Sequence, residues 1–143
     1  MLYNLIWSFI IHLILSGVAL TAFLYSDNKG RLFALIFLVL LSAAYLIAGK
    51  LVKMRVDSFN KKRMLLSVSA PALMALSLLL SITMAPGPMG MNFLYYIFFN
   101  PFTWLIALSL DVDPGSSVFF WTWPIPTLLL WIGLIWKKKM SMK

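Results

Sequence analysis

Long apolar runs alternate with short polar clusters along the chain, and four of the runs reach the length of a membrane-crossing helix. The first, about 3–25, rises ~33 Å at 1.5 Å per residue, enough for a ~30 Å hydrocarbon core. Tyr3, Trp7 and Tyr25 lie near its ends, where aromatic belts form. The second, about 32–49, is almost wholly Leu, Ile, Phe, Val and Ala, with Tyr45 near its end. Between them Asp27, Asn28 and Gly30 supply turn chemistry for an antiparallel hairpin. The third run, about 64–85, contains Pro71, which cannot donate to the Ser67 carbonyl and predicts a kink. The fourth, about 118–136, contains Pro124 and Pro126. A helix starting at Pro124 would be only ~20 Å long, so the pattern predicts a start near Val118 and a bend around 123–126.

A fifth apolar run, 93–110, differs in character. Asn100-Pro101 interrupts its centre, and Pro86-Gly-Pro88 cuts it off from the third helix. Pro114-Gly115 suits a type II turn after it, and Ser116 or Ser117 can cap the last helix.

Charge decides how the runs are threaded. Lys50, Lys53, Arg55, Lys61, Lys62 and Arg63 form a basic connector that holds six of the twelve Lys and Arg residues. The tail 137–143 holds four more. Cytoplasmic loops are enriched in Lys and Arg, so both clusters belong in the cytoplasm. An even number of crossings must then separate Arg63 from Lys137. The third and fourth runs already supply it, and a crossing by 93–110 would put the tail outside. The flanks agree, since 86–92 is uncharged and 111–117 carries only Asp111 and Asp113. The expected fold is therefore an all-α integral membrane bundle of 143 residues and one domain, with four spans and cytoplasmic termini. Segment 93–110 is expected as a re-entrant or interfacial insertion on the outer face. Five plain spans are the alternative. Val52, Val56 and Phe59 fall at helical spacing, so part of the connector either lies as an amphipathic helix on the headgroups or forms a solvated loop.

Composition supports a lipid solvent. Apolar residues make up 62% and charged residues 11%, about half the usual charged share, and Glu and Gln are absent. A soluble domain of this size would lack the polar surface to cover itself. The net charge of +8 sits beside apolar runs, the pattern of membrane-flanking charge, which argues against nucleic acid. With no cysteine, thiolate chemistry and Cys-ligated metals are excluded. The N-terminus lacks a basic n-region and a small-x-small cleavage site, so the first run reads as a retained helix. Small size and basic bias fit a bacterial plasma membrane.

Few residues offer chemistry. Ser8, His12 and Ser16 share one helical face, and ionisable groups at such depth are functional by default. His12 is the sole histidine, suited to a proton relay or to hydrogen bonding between helices, and a poor metal site by itself. Ser67, Ala70, Ser77 and Ser81 form a small-residue stripe that lets helices approach, or lines a path. Tyr95, Tyr96, Phe99, Trp104, Trp121 and Trp123 are dense enough to line a lipid or partner site, or to form an aromatic belt. Asp111 and Asp113 suit turn chemistry, a hard cation or acid/base work. The six connector cations suit anionic headgroups.

No metal or cofactor is implied, and no phosphate loop or nucleophile motif is present. The expected function is a non-enzymatic accessory, assembly or immunity-type subunit. It would bind a membrane-protein partner, a second copy or a lipid-like ligand through the aromatic segment. A small transporter or channel component is one alternative. A membrane enzyme acting on a lipid through His12 or the Asp pair is the other.

Overall fold

The first two apolar runs become the two longest helices, α1 (Leu2–Leu24) and α2 (Arg31–Leu51), in a computed structural model that describes residues 2–24, 30–52, 60–84, 100–111 and 121–141. These two are long and apolar enough, by length and composition, to cross a membrane. The described residues contain no strand; the remaining helices are α3 (Lys61–Ser67), α4 (Ala70–Met84), α5 (Pro101–Leu110) and α6 (Ile125–Ser141).

Local chemistry sets the boundaries. Asn60 caps α3, its side-chain oxygen accepting from the backbone N–H groups of Lys62 and Arg63. The kink expected at Pro71 is a full break. The helix stops at Ser67, Val68 and Ser69 lie outside it, and α4 restarts with Pro71 in its first turn, where its missing N–H costs nothing. The freed N–H of Ala72 donates to Thr127 Oγ1 on α6 at 3.0 Å, so a neighbouring side chain satisfies the interruption.

Within 93–110 the described helix is α5 alone, with Asn100 before it and Pro101 as its first residue; 93–99 lies outside the described residues. Asp111 ends it in the left-handed conformation, φ 58°, which aspartate tolerates better than most residues. The last helix loosens where the two prolines predict and differs from expectation at its C-terminal end; 118–120 lies outside the described residues. Trp121 and Thr122 are helical, the chain loosens at Trp123 and Pro124, and α6 then runs on past the triple lysine to Ser141.

Pairings along the helices fix their directions. Helix α1 runs antiparallel to α2, with His12 against Tyr45 and with Tyr3, Trp7 and Ile11 beside Ala48, Leu51 and Val52. Helix α5 also opposes α2: Phe102 packs on Tyr45, Trp104 on Phe37, and Asp111 pairs with Arg31. Helices α2 and α6 pack most extensively and end together, since Lys137 Nζ donates to the Val52 carbonyl at 3.1 Å and Lys50 lies 3.4 Å over the Trp136 ring. The α3 start joins this end, where Trp131 Nε1 donates to the Lys61 carbonyl. Seven described cations, Lys50, Lys61, Lys62, Arg63, Lys137, Lys138 and Lys139, thus mark one basic end. Arg31 and Asp111 mark the opposite end.

The α2–α6 crossing depends on two glycines. A Cβ on Gly133 would overlap the Leu46 carbonyl oxygen and lie 3.1 Å from Gly49 Cα, and one on Gly49 would overlap the Leu130 carbonyl oxygen. Only glycine allows backbones this close.

Candidate functional site

Helix α1 is inverted relative to a soluble helix. Its buried positions are Asn4, Ser8, His12, Ser16 and Ala19, while Leu2, Ile6, Phe9, Ile10, Ile14 and Val18 face outward. The 3.6-residue period places Asn4, Ser8, His12 and Ser16 one above another, so a single orientation buries all four.

His12 lies at the centre of this face. Its Nδ1 and the Tyr45 hydroxyl share a 2.7 Å hydrogen bond, and both side chains are fully buried. Ser8 donates to its own helix at the Leu5 carbonyl. Ser16 Oγ lies beside the Tyr45 hydroxyl but outside hydrogen-bonding geometry. The Phe102 ring of α5 packs against the Tyr45 ring at 5.6 Å between centroids, tilted by 50°, and adds an aromatic contact to the hydrogen bond.

A second buried polar group lies at the α5 start. Asn100 Nδ2 donates to Thr122 Oγ1 at 2.8 Å, and the Thr103 and Thr122 hydroxyls share a 2.9 Å bond. All three side chains are buried, and Asn100 Oδ1 has no hydrogen-bond partner among the described residues.

The other expected site residues are dispersed. In the small-residue stripe, the α3–α4 break leaves Ser67 and Ala70 buried and Ser77 exposed; the Ser81 side chain lies outside the described residues. Of the aromatic group, Trp104 is buried and stacked near Phe37, Trp123 is half-buried, and Trp121 is 83% exposed. Tyr95, Tyr96 and Phe99 lie outside the described residues, as do Asp113, Lys53, Arg55, the 114–117 turn and the 53–59 connector. Asp111 forms an exposed ion pair with Arg31. Lys61, Lys62 and Arg63 are exposed, and Lys50 is half-buried over Trp136. Among the described residues, no three His, Cys, Asp or Glu side chains cluster in a way that could hold a metal.

Reading the sequence overlooked Asn4, although it extends the Ser8–His12–Ser16 spacing by one more turn. It also overlooked Tyr45 as the partner of His12, the Asn100, Thr103 and Thr122 group, Thr127, and both crossing glycines.

Comparison with known proteins brings no relative: no protein-family model, curated protein or solved structure matches the chain. The fold alone defines the class, a helical bundle with two helices long and apolar enough to cross a membrane.

Proposed function

We propose that the chain is a small multi-pass membrane protein of four crossings, with both termini cytoplasmic, acting as a non-enzymatic accessory or assembly subunit. It binds a membrane-embedded partner or a lipid-like ligand. The observation that carries this reading is the inverted α1, with Asn4, Ser8, His12 and Ser16 inside and Leu2, Ile6, Phe9, Ile10, Ile14 and Val18 outside. In water that arrangement loses the hydrophobic driving force. In hydrocarbon it is the favourable one, because ionisable and polar groups turn to the bundle interior.

The helix directions support the threading. Helices α2 and α6 end together at the basic end, and α1 and α3 start there. The positive-inside rule assigns that end to the cytoplasm. The crossings are then α1, α2, the broken α3–α4 pair, and α6 with the residues just before it. Helix α5 starts beside Tyr45 and ends beside Arg31, and its ten residues rise only ~15 Å, which supports a re-entrant half-helix. A fifth crossing would carry Asp111 to the basic end instead.

Two features favour binding over catalysis. The side chains a lipid-directed enzyme would use are engaged apart, His12 with Tyr45 and Asp111 with Arg31. Those two anchor points lie ~21 Å apart along α2. The exterior, in contrast, offers large apolar faces and the outward Trp121.

Two experiments test the proposal. Single cysteines can be placed at will, because the chain has none. An impermeant reagent should label Asn28→Cys, and not Lys143→Cys, in intact right-side-out cells; the reverse pattern refutes the threading. Partners retained by the wild type in native purification should be lost when Tyr95, Tyr96 and Trp121 become Ala. Unchanged retention by a folded triple variant refutes binding through these aromatic residues.

A second reading, a component of a translocation path, is favoured by the half-length α5 starting at the buried Asn100, Thr103 and Thr122 group. It predicts solute flux in proteoliposomes that changes with His12→Ala.

A further inference from the structure

At the basic end, the start of α1 and the end of α2 leave a groove of about 390 Å³ between them. Tyr3, Trp7, Ile11, Ala48, Leu51 and Val52 line it. Its volume lies at the lower end of the ~300–1,000 Å³ typical of small-molecule sites, room for one slender apolar chain. Val52 belongs to two features at once. It lines the groove, and its carbonyl accepts from Lys137 Nζ at 3.1 Å, which holds an ammonium against one of the groove's own residues. Lys137 has no carboxylate partner among the described residues, and the one described acid, Asp111, lies at the opposite end of the bundle. Lys50, Lys138 and Lys139 add positive charge at the same end.

We propose that this groove holds one anionic phospholipid of the cytoplasmic leaflet, an acyl chain between α1 and α2 and its phosphate against Lys137. The inference rests on the membrane reading above and deepens it, since it names one ligand and one site. An apolar slot with a cationic rim matches an anionic amphiphile in both parts. A zwitterionic lipid would match only the slot. Tyr3 and Trp7, each about two-fifths exposed, flank the chain at headgroup level.

The test uses the full chain reconstituted in phosphatidylcholine vesicles that carry a minor fraction of lipid brominated on its acyl chains. The brominated lipid is phosphatidylglycerol in one set and phosphatidylcholine in the other. Bromine quenches nearby tryptophan, and the difference between wild type and Trp7→Phe isolates the Trp7 signal. The expected result is stronger quenching of Trp7 by the anionic lipid, an apparent preference of about fivefold, equivalent to one lysine–headgroup contact. Lys137→Met should remove the preference, and Lys137→Arg should keep it. Equal quenching of Trp7 by both lipids in the wild type overturns the proposal without any variant being needed. So does a preference that survives Lys137→Met. Flotation with the vesicles is scored separately: a chain that fails to float overturns the membrane reading and this site with it, whereas floating with equal quenching overturns the site alone.

Discussion

Gly133→Ala adds a single methyl group and should destabilise the bundle. The new Cβ would fall inside the Leu46 carbonyl oxygen and 3.1 Å from Gly49 Cα, against a comfortable ~3.5–4.0 Å. Both obstacles are backbone, so no rotamer change relieves them, and α2 and α6 must part by about 1 Å. Such overpacking costs ~1–3 kcal/mol, and a backbone collision belongs in the upper part of that range. Alanine returns ~0.5–1 kcal/mol of helix propensity over glycine. The net expectation is a loss of about 2 kcal/mol. The assay is reversible denaturation of the purified chain in mixed micelles by increasing SDS, read by circular dichroism. Gly17→Ala is the internal control, because nothing lies within 4 Å of a Cβ there and only the propensity gain remains. Gly49→Ala should resemble Gly133→Ala, and the double variant should lose less than the sum, since one displacement accommodates both methyl groups. If Gly133→Ala is as stable as wild type while Gly17→Ala gains stability, the two helices do not cross at glycine contact.

Three further outcomes follow from single interactions. Tyr45→Phe removes the 2.7 Å bond to His12 and should cost ~0.6–2 kcal/mol by the same denaturation assay, with the effect of Tyr45→Phe much reduced in a His12→Ala background. Thr127→Val keeps the shape but leaves the buried Ala72 N–H without its acceptor, for a loss of ~1–3 kcal/mol and faster amide exchange at the α4 start, whereas Thr127→Ser should retain the bond. Asp111→Asn breaks an exposed ion pair yet keeps a residue suited to positive φ, so stability should barely change; Asp111→Val should cost about 1–2 kcal/mol through the left-handed backbone, and equal effects of the two would show that the φ of 58° is not maintained.

The long helices were legible in the sequence because their signal is length and composition. The α1 and α2 runs match the observed helices to within two residues at each end. Pro71 was legible as a disturbance, but a full break required an acceptor for the Ala72 N–H, and Thr127 lies 55 residues away. The loosening before α6 was legible in Pro124 and Pro126, while the run of α6 through Lys137, Lys138 and Lys139 was not, because lysine extends a helix about as readily as other unbranched residues. In the candidate site, the i, i+4 spacing of Ser8, His12 and Ser16 was legible, and the partner on another helix was not. Tyr45 was noted only as lying near the end of its run, because depth along α2 says nothing about which neighbour it meets. Gly49 and Gly133 carry no GxxxG pattern within either helix, so their meeting is a property of the pair alone.

These overlooked residues share a physical role. On the membrane reading proposed above, burying leucine between helices gains little, because lipid is as apolar as the leucine it replaces. The faces that recognise one another must then differ from lipid in kind, through hydrogen bonds or through close backbone approach. The described bundle uses both. Helix α1 meets α2 through His12 and Tyr45, α4 meets α6 through Ala72 and Thr127, the α5 start meets the residues before α6 through Asn100 and Thr122, and α2 meets α6 across two glycines. Each of these four joints carries one feature that lipid cannot imitate. The exposed apolar positions are correspondingly permissive: Ile14→Leu and Val39→Leu, on the outward faces of α1 and α2, should leave denaturation midpoints unchanged within about 0.5 kcal/mol. A loss at these sites comparable to Tyr45→Phe would mean that α1 and α2 are held by apolar packing against a covering surface, and the polar joints would no longer explain the specificity of the bundle.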